Sequence, residues 1–176
     1  MTEMISNERV MMFVDVRNVL GAMGDDLKYC RVDFNGLIKN LTSERHLIRP
    51  YAYDGHCCTD GSDEGLHNYL RRCGCTIRLS NIHHIDAGQK GVDVDLATDM
   101  AIFAYRNYYD VAILVSGDGD FIPAVEKVKD MGKRVEVACF ENTINDGLRL
   151  SADVYHDLDG VPLMRLRSPR IPEEVL

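Results

Sequence analysis

Two stretches of the chain are apolar at every position. Residues 10–14 read Val-Met-Met-Phe-Val and close on Asp15, and residues 111–115 read Val-Ala-Ile-Leu-Val and close on Ser116-Gly-Asp-Gly-Asp120. Short runs of strand-forming residues without polar alternation predict strands buried on both faces, at the centre of a sheet. Elsewhere the spacing turns helical. Asp33 opens a helix with Phe34, Leu37, Ile38 and Leu41 on one face. Residues 47–53 predict a strand and 55–63 a polar loop. Leu66, Tyr69 and Leu70 mark a helix that ends at Gly74, and 75–79 another strand. A loop over 80–91 leads to a helix over 92–105. After the second apolar run, 121–131 predicts a helix, with Pro123 in its first turn and Gly132 as its stop. A strand over 134–140, a short helix over 146–150 and a strand over 153–156 complete the pattern. Alternating strand and helix predicts one α/β domain, a mainly parallel sheet with helices on both faces, over residues 1–160, followed by a tail over 161–176 containing Pro and Arg.

Ligands bind such sheets beyond the carboxyl ends of the strands, which gives weight to the acids there. Asp15 ends the first buried run, and Asp118 and Asp120 follow the second. Each also has an ordinary reading as a turn or cap residue, Asp120 as the N-cap before Phe121. In the helix over 92–105, Val92, Leu96, Asp99 and Phe103 form one stripe. Asp99 is its only charge, and an ionised carboxylate on a core-facing stripe is costly unless paired or bound to a metal. Asp93 also leans to the apolar side, or caps the helix; Asp95 leans outward. Clustered carboxylates either share a proton or hold a hard divalent cation. Four acids in one cleft favour the cation, and all-oxygen ligands suit Mg²⁺ or Mn²⁺.

Charge sharpens this picture. The chain carries 20 Lys and Arg against 28 Asp and Glu, net −8. Residues 91–120 hold six Asp and one Arg, so most of the excess lies in that window. A bound cation would reverse the local sign and let an acidic chain approach nucleic acid. Hydrophobic residues at 45% exclude a mainly disordered chain. No apolar run reaches the ~20 residues that span a bilayer, and the N-terminus lacks a secretory pattern, so a cytoplasmic protein without membrane contact is expected. The six Cys are then expected as free thiols. Cys73 and Cys75, with His56, His67, His83 and His84 near them in sequence, do not have the spacing of a common zinc site.

Three segments together resemble the NYN domain, the LabA-like branch of the PIN-like nuclease superfamily: Phe13-Val-Asp-Val-Arg-Asn18, Lys90-Gly-Val-Asp-Val-Asp-Leu-Ala-Thr-Asp99 and Leu114-Val-Ser-Gly-Asp-Gly-Asp-Phe121. The resemblance runs over about residues 8–157. It implies a PIN-like three-layer α/β/α sandwich and a metal-dependent ribonuclease site. Asp15, Asp99, Asp118 and Asp120 match the acidic catalytic and metal-binding set, and Asp93 matches a further acidic position. Asn18, Lys90 and Ser116 match polar positions that orient the acids or touch substrate.

The reading is therefore hydrolysis of RNA phosphodiesters at a Mg²⁺ or Mn²⁺ site. A non-catalytic RNA-binding or regulatory module and a metal-dependent phosphatase are the alternatives, and a homodimer or a protein partner stays open. No G-K-[ST] follows Gly119, so a P-loop is excluded. Arg71, Arg72, Arg78, Lys133 and Arg134 are candidates to line an RNA path, with Arg165, Arg167 and Arg170 of the tail as further phosphate contacts.

Overall fold

The structure is a computed structural model describing residues 7–22, 30–56, 63–81, 90–159 and 163–165. Cys57, Cys58, His83, His84, Arg167 and Arg170 lie outside the described residues, as do the side chains of His56, Lys90 and Arg165.

Chain order is β1 (Arg9–Asp15), α1 (Val16–Ala22), β2 (Cys30–Val32), α2 (Phe34–Thr42), β3 (His46–His56), α3 (Glu64–Arg72), β4 (Thr76–Asn81), α4 (Lys90–Tyr105), β5 (Val111–Val115), a 3-10 turn (Gly119–Phe121), α5 (Ile122–Asp130), β6 (Arg134–Cys139), α6 (Asp146–Ser151), β7 (Val154–Asp157) and β8 (Leu163–Arg165). Six strands form one sheet in the order β4-β3-β1-β5-β6-β7, and every pairing in it is parallel. The two apolar runs are neighbours, Val10 opposite Val111 through Val14 opposite Val115. Both are buried on both faces, as double-sided burial requires.

The faces divide by the two-residue period of a strand. Val10, Met12 and Val14 pack with Val16, Phe34, Leu37 and Leu70, under α1, α2 and α3. Met11 and Phe13 pack with Val92, Leu96, Met100 and Val125, under α4 and α5. Three layers result, a fold that fits a PIN-like domain. Asp33 caps α2 as its sequence position predicts, accepting the Gly36 N–H at 3.0 Å. Helix α1 and the strands β2 and β8 are additional to the predicted set. Helix α1 follows Asp15 directly, and β2 pairs antiparallel with β8, so three residues of the 161–176 segment are ordered against Cys30–Val32.

A charged group is buried inside the sheet. Glu136 on β6 has a side chain 1% exposed; it accepts from Arg45 Nη1 at 2.8 Å and lies 2.8 Å from His156 Nε2. Burial pushes its pKa up, but bonds from His156 and Arg45 outweigh burial and hold it at about 2.

Strand order reverses between β1 and β5. From β1 the chain builds outward through β3 and β4, then crosses by α4 to start the other half at β5. A ligand crevice lies at such a switch point, outside the carboxyl ends of the two strands. Those ends are Asp15 and the turn after Val115.

Candidate active site

Asp15 takes the same face of β1 as Phe13, so its carboxylate turns toward α4. It is 1% exposed. One oxygen accepts the Asn18 N–H at 3.1 Å, and the other accepts the Ser116 hydroxyl at 3.2 Å. Burial raises the Asp15 pKa; these two bonds oppose the rise, and the negative charges of Asp118 and Asp54 add to it. Beyond the N–H it donates to Asp15, Asn18 accepts the Gly117 N–H on its side-chain oxygen at 2.8 Å, tying the end of β1 to the turn after β5. Ser116 Oγ in turn accepts the Asp118 N–H at 3.2 Å.

Gly117 is required by close approach. A Cβ there would stand 2.5 Å from the Thr143 carbonyl oxygen and 2.6 Å from Cys139 Sγ. A side chain would push the turn away from the sheet edge and carry Asp118 with it. Asp118 caps the 3-10 turn, accepting the Asp120 N–H at 2.9 Å. Asp120 is exposed and is not the N-cap of α5; Phe121 holds that position without a side-chain cap bond.

Asp93 stands in the first turn of α4, where the positive end of the helix dipole favours an acid. Its Oδ1 is buried and has no hydrogen-bond partner among the described residues. Burial first, then the charges of Asp15, Asp118 and Asp120, push its pKa up to about 6. Four acids from β1, α4 and the turn after β5 thus face one another across the switch point. The set offers carboxylate oxygens only, and the orphaned Asp93 oxygen is a donor waiting for a positive partner. Both features fit a hard divalent cation. Among the described residues no three acid, imidazole or thiol side chains already stand close enough to ligate one ion.

Asp99, the acid expected on the core-facing stripe, has partners of its own. Its carboxylate is taken by the Tyr53 hydroxyl at 2.9 Å and lies 3.4 Å from Arg78 Nε. It therefore leans toward the β3–β4 side of the sheet, where Tyr53 is the register neighbour of Asp15. The cost of its place on an apolar stripe is met by a phenol and a guanidinium. Burial and the Asp99 charge raise the Tyr53 pKa, so this phenol stays a donor. Asp95 is exposed, as its outward lean predicts, and accepts the Ser80 hydroxyl. Asp99→Asn is expected to change stability by no more than about 1 kcal/mol, because Tyr53 keeps an acceptor and the Arg78 pair is half-exposed. The rise in melting temperature on adding Mn²⁺ should stay at its parental size in Asp99→Asn and shrink in Asp93→Asn. Loss of the Mn²⁺ response in Asp99→Asn would return Asp99 to the ligand set.

A second group beside the cleft is additional to the sequence reading. Asp54, fully buried near the end of β3, accepts from Arg17 Nε at 2.7 Å and from the Gly55 N–H at 2.8 Å, and lies 2.8 Å from His67 Nε2. Arg17 also reaches Asp63. The signal was present in sequence: Asp54 closes an apolar run on β3 as Asp15 does on β1. His67 is thereby committed to Asp54 and not to the thiols of Cys73 and Cys75. Cys75 is buried, and burial and its neighbour Cys73 push its pKa up to about 12, which leaves it a thiol.

The basic residues divide by sheet edge. Arg71 and Arg72 end α3 before β4 begins, and Lys133 and Arg134 precede or open β6. All four stand at the edge opposite the acidic cleft and do not line a path into it. Arg78 is held over the Tyr51 ring, 5.4 Å from its centroid.

The NYN domain family matches residues 9–159. The chain is 30% identical over 127 residues to the low amplitude and bright protein LabA of Synechococcus elongatus, covering 67% of this chain and 66% of that protein. It is 36% identical over 69 residues to an uncharacterized protein of Methanocaldococcus jannaschii, covering 39% of this chain and 28% of that one. The chain thus spans less than two thirds of the length of either relative. A crystal structure of a Vibrio parahaemolyticus protein of unknown function superposes with a TM-score of 0.79 at 28% identity, over 93% of this chain and all of that one.

Proposed function

The chain belongs to the NYN domain family, and from that premise we propose that it is a Mg²⁺- or Mn²⁺-dependent ribonuclease hydrolysing RNA phosphodiesters at the switch-point cleft. The family supports a nuclease-type role. The observation that carries the rest is the meeting of Asp15, Asp93, Asp118 and Asp120, with the buried Asp93 Oδ1 left without a partner among the described residues.

These four acids would hold the ion. When bound, it neutralises charge on the phosphoryl group and lets water act as a nucleophile near neutral pH. The chain's own work is orientation. Ser116 and the Asn18 N–H fix both oxygens of Asp15. The bond from Gly117 to Asn18 holds the turn after β5 at the distance that keeps Asp118 over the crevice. Lys90 and the Asn18 side chain stand at the sequence positions from which a phosphate would be met.

The test is cleavage of mixed single- and double-stranded RNA with Mn²⁺, Mg²⁺ or EDTA, beside Asp118→Asn. Cleavage that needs the ion and is lost in the variant supports the enzyme. Tight RNA binding without cleavage would replace it by a non-catalytic module; the name of the Synechococcus relative denotes an amplitude and a brightness, not a reaction. Turnover of small phosphoesters alone would replace it by a phosphatase.

A further inference from the structure

Helix α4 is apolar on two opposite faces, and an apolar helix face is ordinarily covered. Its inner face is covered: Val92, Leu96, Met100 and Phe103 are buried in the core. Its outer face carries Val94, Thr98, Ala101, Ile102 and Tyr105, one uninterrupted stripe without a charge. Val94 is 63% exposed and Tyr105 82%. Seven large apolar side chains are exposed among the described residues, and five belong to this region, since Leu79 and Tyr108 flank the helix. Leu79 borders the same groove as Asp95 and Thr98, and Tyr108 stacks on Phe103 at 5.8 Å. Surface apolar residues scattered singly need no explanation, but a patch of this kind marks an interaction site.

We propose that this face binds a second copy of the chain, α4 packed antiparallel on α4 about a twofold axis. The charges beside the stripe select that occupant. Asp95 and Arg106 lie eleven residues apart, about three turns and ~16 Å of rise, so both edge the same flank. Arg106 still continues the helical bonding, its N–H donating to the Ile102 carbonyl at 2.9 Å. A twofold axis perpendicular to the helices sets each flank against its own copy with the direction reversed. Asp95 then meets the partner's Arg106, and the pair occurs twice. Thr98 and Ala101 fall at the centre, where small side chains let the backbones approach. The face is about 24 Å long and smaller than the ~800 Å² per partner of a standard stable interface, so the dimer should be reversible and depend on concentration.

Sedimentation velocity of the full chain over a concentration series tests this. The parent should pass from monomer to dimer. Tyr105→Glu, Asp95→Arg and Arg106→Asp should each weaken association by at least about tenfold, because a like or unpaired charge enters the contact. Asp95→Arg combined with Arg106→Asp should restore it, since the swapped pair is again complementary. All three positions are exposed, and unchanged circular dichroism and melting in each variant would show that the fold is kept. A parent that stays monomeric to about 1 mM, as it would if residues 166–176 of its own tail covered the face, overturns the proposal. So does a dimer indifferent to Tyr105→Glu, or one that the double charge swap fails to restore.

Discussion

Asp15→Asn is expected to lower metal-dependent RNA cleavage by at least about 100-fold, since even groups that only support metal ligands cost about 10–100-fold when removed. The same substitution should raise the melting temperature of the protein in EDTA. Both expectations follow from one arrangement. Asp15 is buried beside Asp118 and Asp54, and its pKa is raised; Asp93 is pushed up to about 6 partly by the Asp15 charge. An acid whose folded pKa lies above its unfolded value is protonated in the native state while the unfolded chain has already lost the proton. Native stability therefore falls as pH rises from about 4 to about 6, and the loss persists above that window. Removing the Asp15 charge takes away its own share and lowers the pKa of Asp93. Melting curves in EDTA across that range should be flatter for Asp15→Asn than for the parent, and the difference should be greatest above about pH 6. Asparagine keeps an oxygen for the Asn18 N–H and an NH₂ that can donate to Ser116, so the local bonds survive. A variant that melts lower than the parent in EDTA and still cleaves RNA would show that Asp15 is a structural acid, and the proposed site would have to be abandoned.

Glu136→Gln is expected to cost about 3 kcal/mol of unfolding free energy at neutral pH, the size expected when one member of a buried ion pair is removed. The pKa gives a similar figure: a drop from 4.5 to about 2 corresponds to about 3 kcal/mol of extra stabilisation of the charged form. The sign is opposite to that of Asp15. A folded pKa below the unfolded value means stability that is present above about pH 4.5 and is lost as pH falls toward about 2. Urea unfolding should show parent and variant well apart at pH 7 and converging near the acid limit. Glu136 lies within β6 opposite Ile113, beside Arg45 and His156 and short of the carboxyl ends of the strands, so RNA cleavage by the folded variant should match the parent. A gap that stays constant with pH would assign the loss to packing and not to charge.

The two largest effects fall on residues that the sequence exposes very unequally. Asp15 is legible because a polar residue interrupts a fully apolar run at its end, and a parallel sheet puts its ligands there. The same reasoning places Asp118 and Asp120 after the second run, and double-sided burial makes the two runs neighbours, while their register, Val10 opposite Val111, comes from the fold. Glu136 is not legible. In Arg-Val-Glu-Val-Ala-Cys it reads as the polar half of an alternating strand, and only the fold brings Arg45, ninety-one positions away, to neutralise it. Helix α1 escaped for a related reason: it is seven residues long and buries only Val16 and Val19, too few for a period to show.

Asp99 and Asp93 mark the boundary most clearly. Periodicity determined by itself that Asp99 faces inward on α4, and it does. What it faces was decided by tertiary structure. Helical spacing fixes the direction of a side chain around the axis, whereas the neighbour it meets depends on height along the axis and on which strand lies beneath. Six residues separate the two acids, about 9 Å of rise. Over that distance Asp99 meets Tyr53 and Arg78, while Asp93 senses Asp15, Asp118 and Asp120. The sequence alone determined the layers, the central pair of strands and the acids that close them. The fold decided which inward-facing acid has a partner and which one keeps an oxygen without one among the described residues, because that choice rests on contacts between elements distant in the chain.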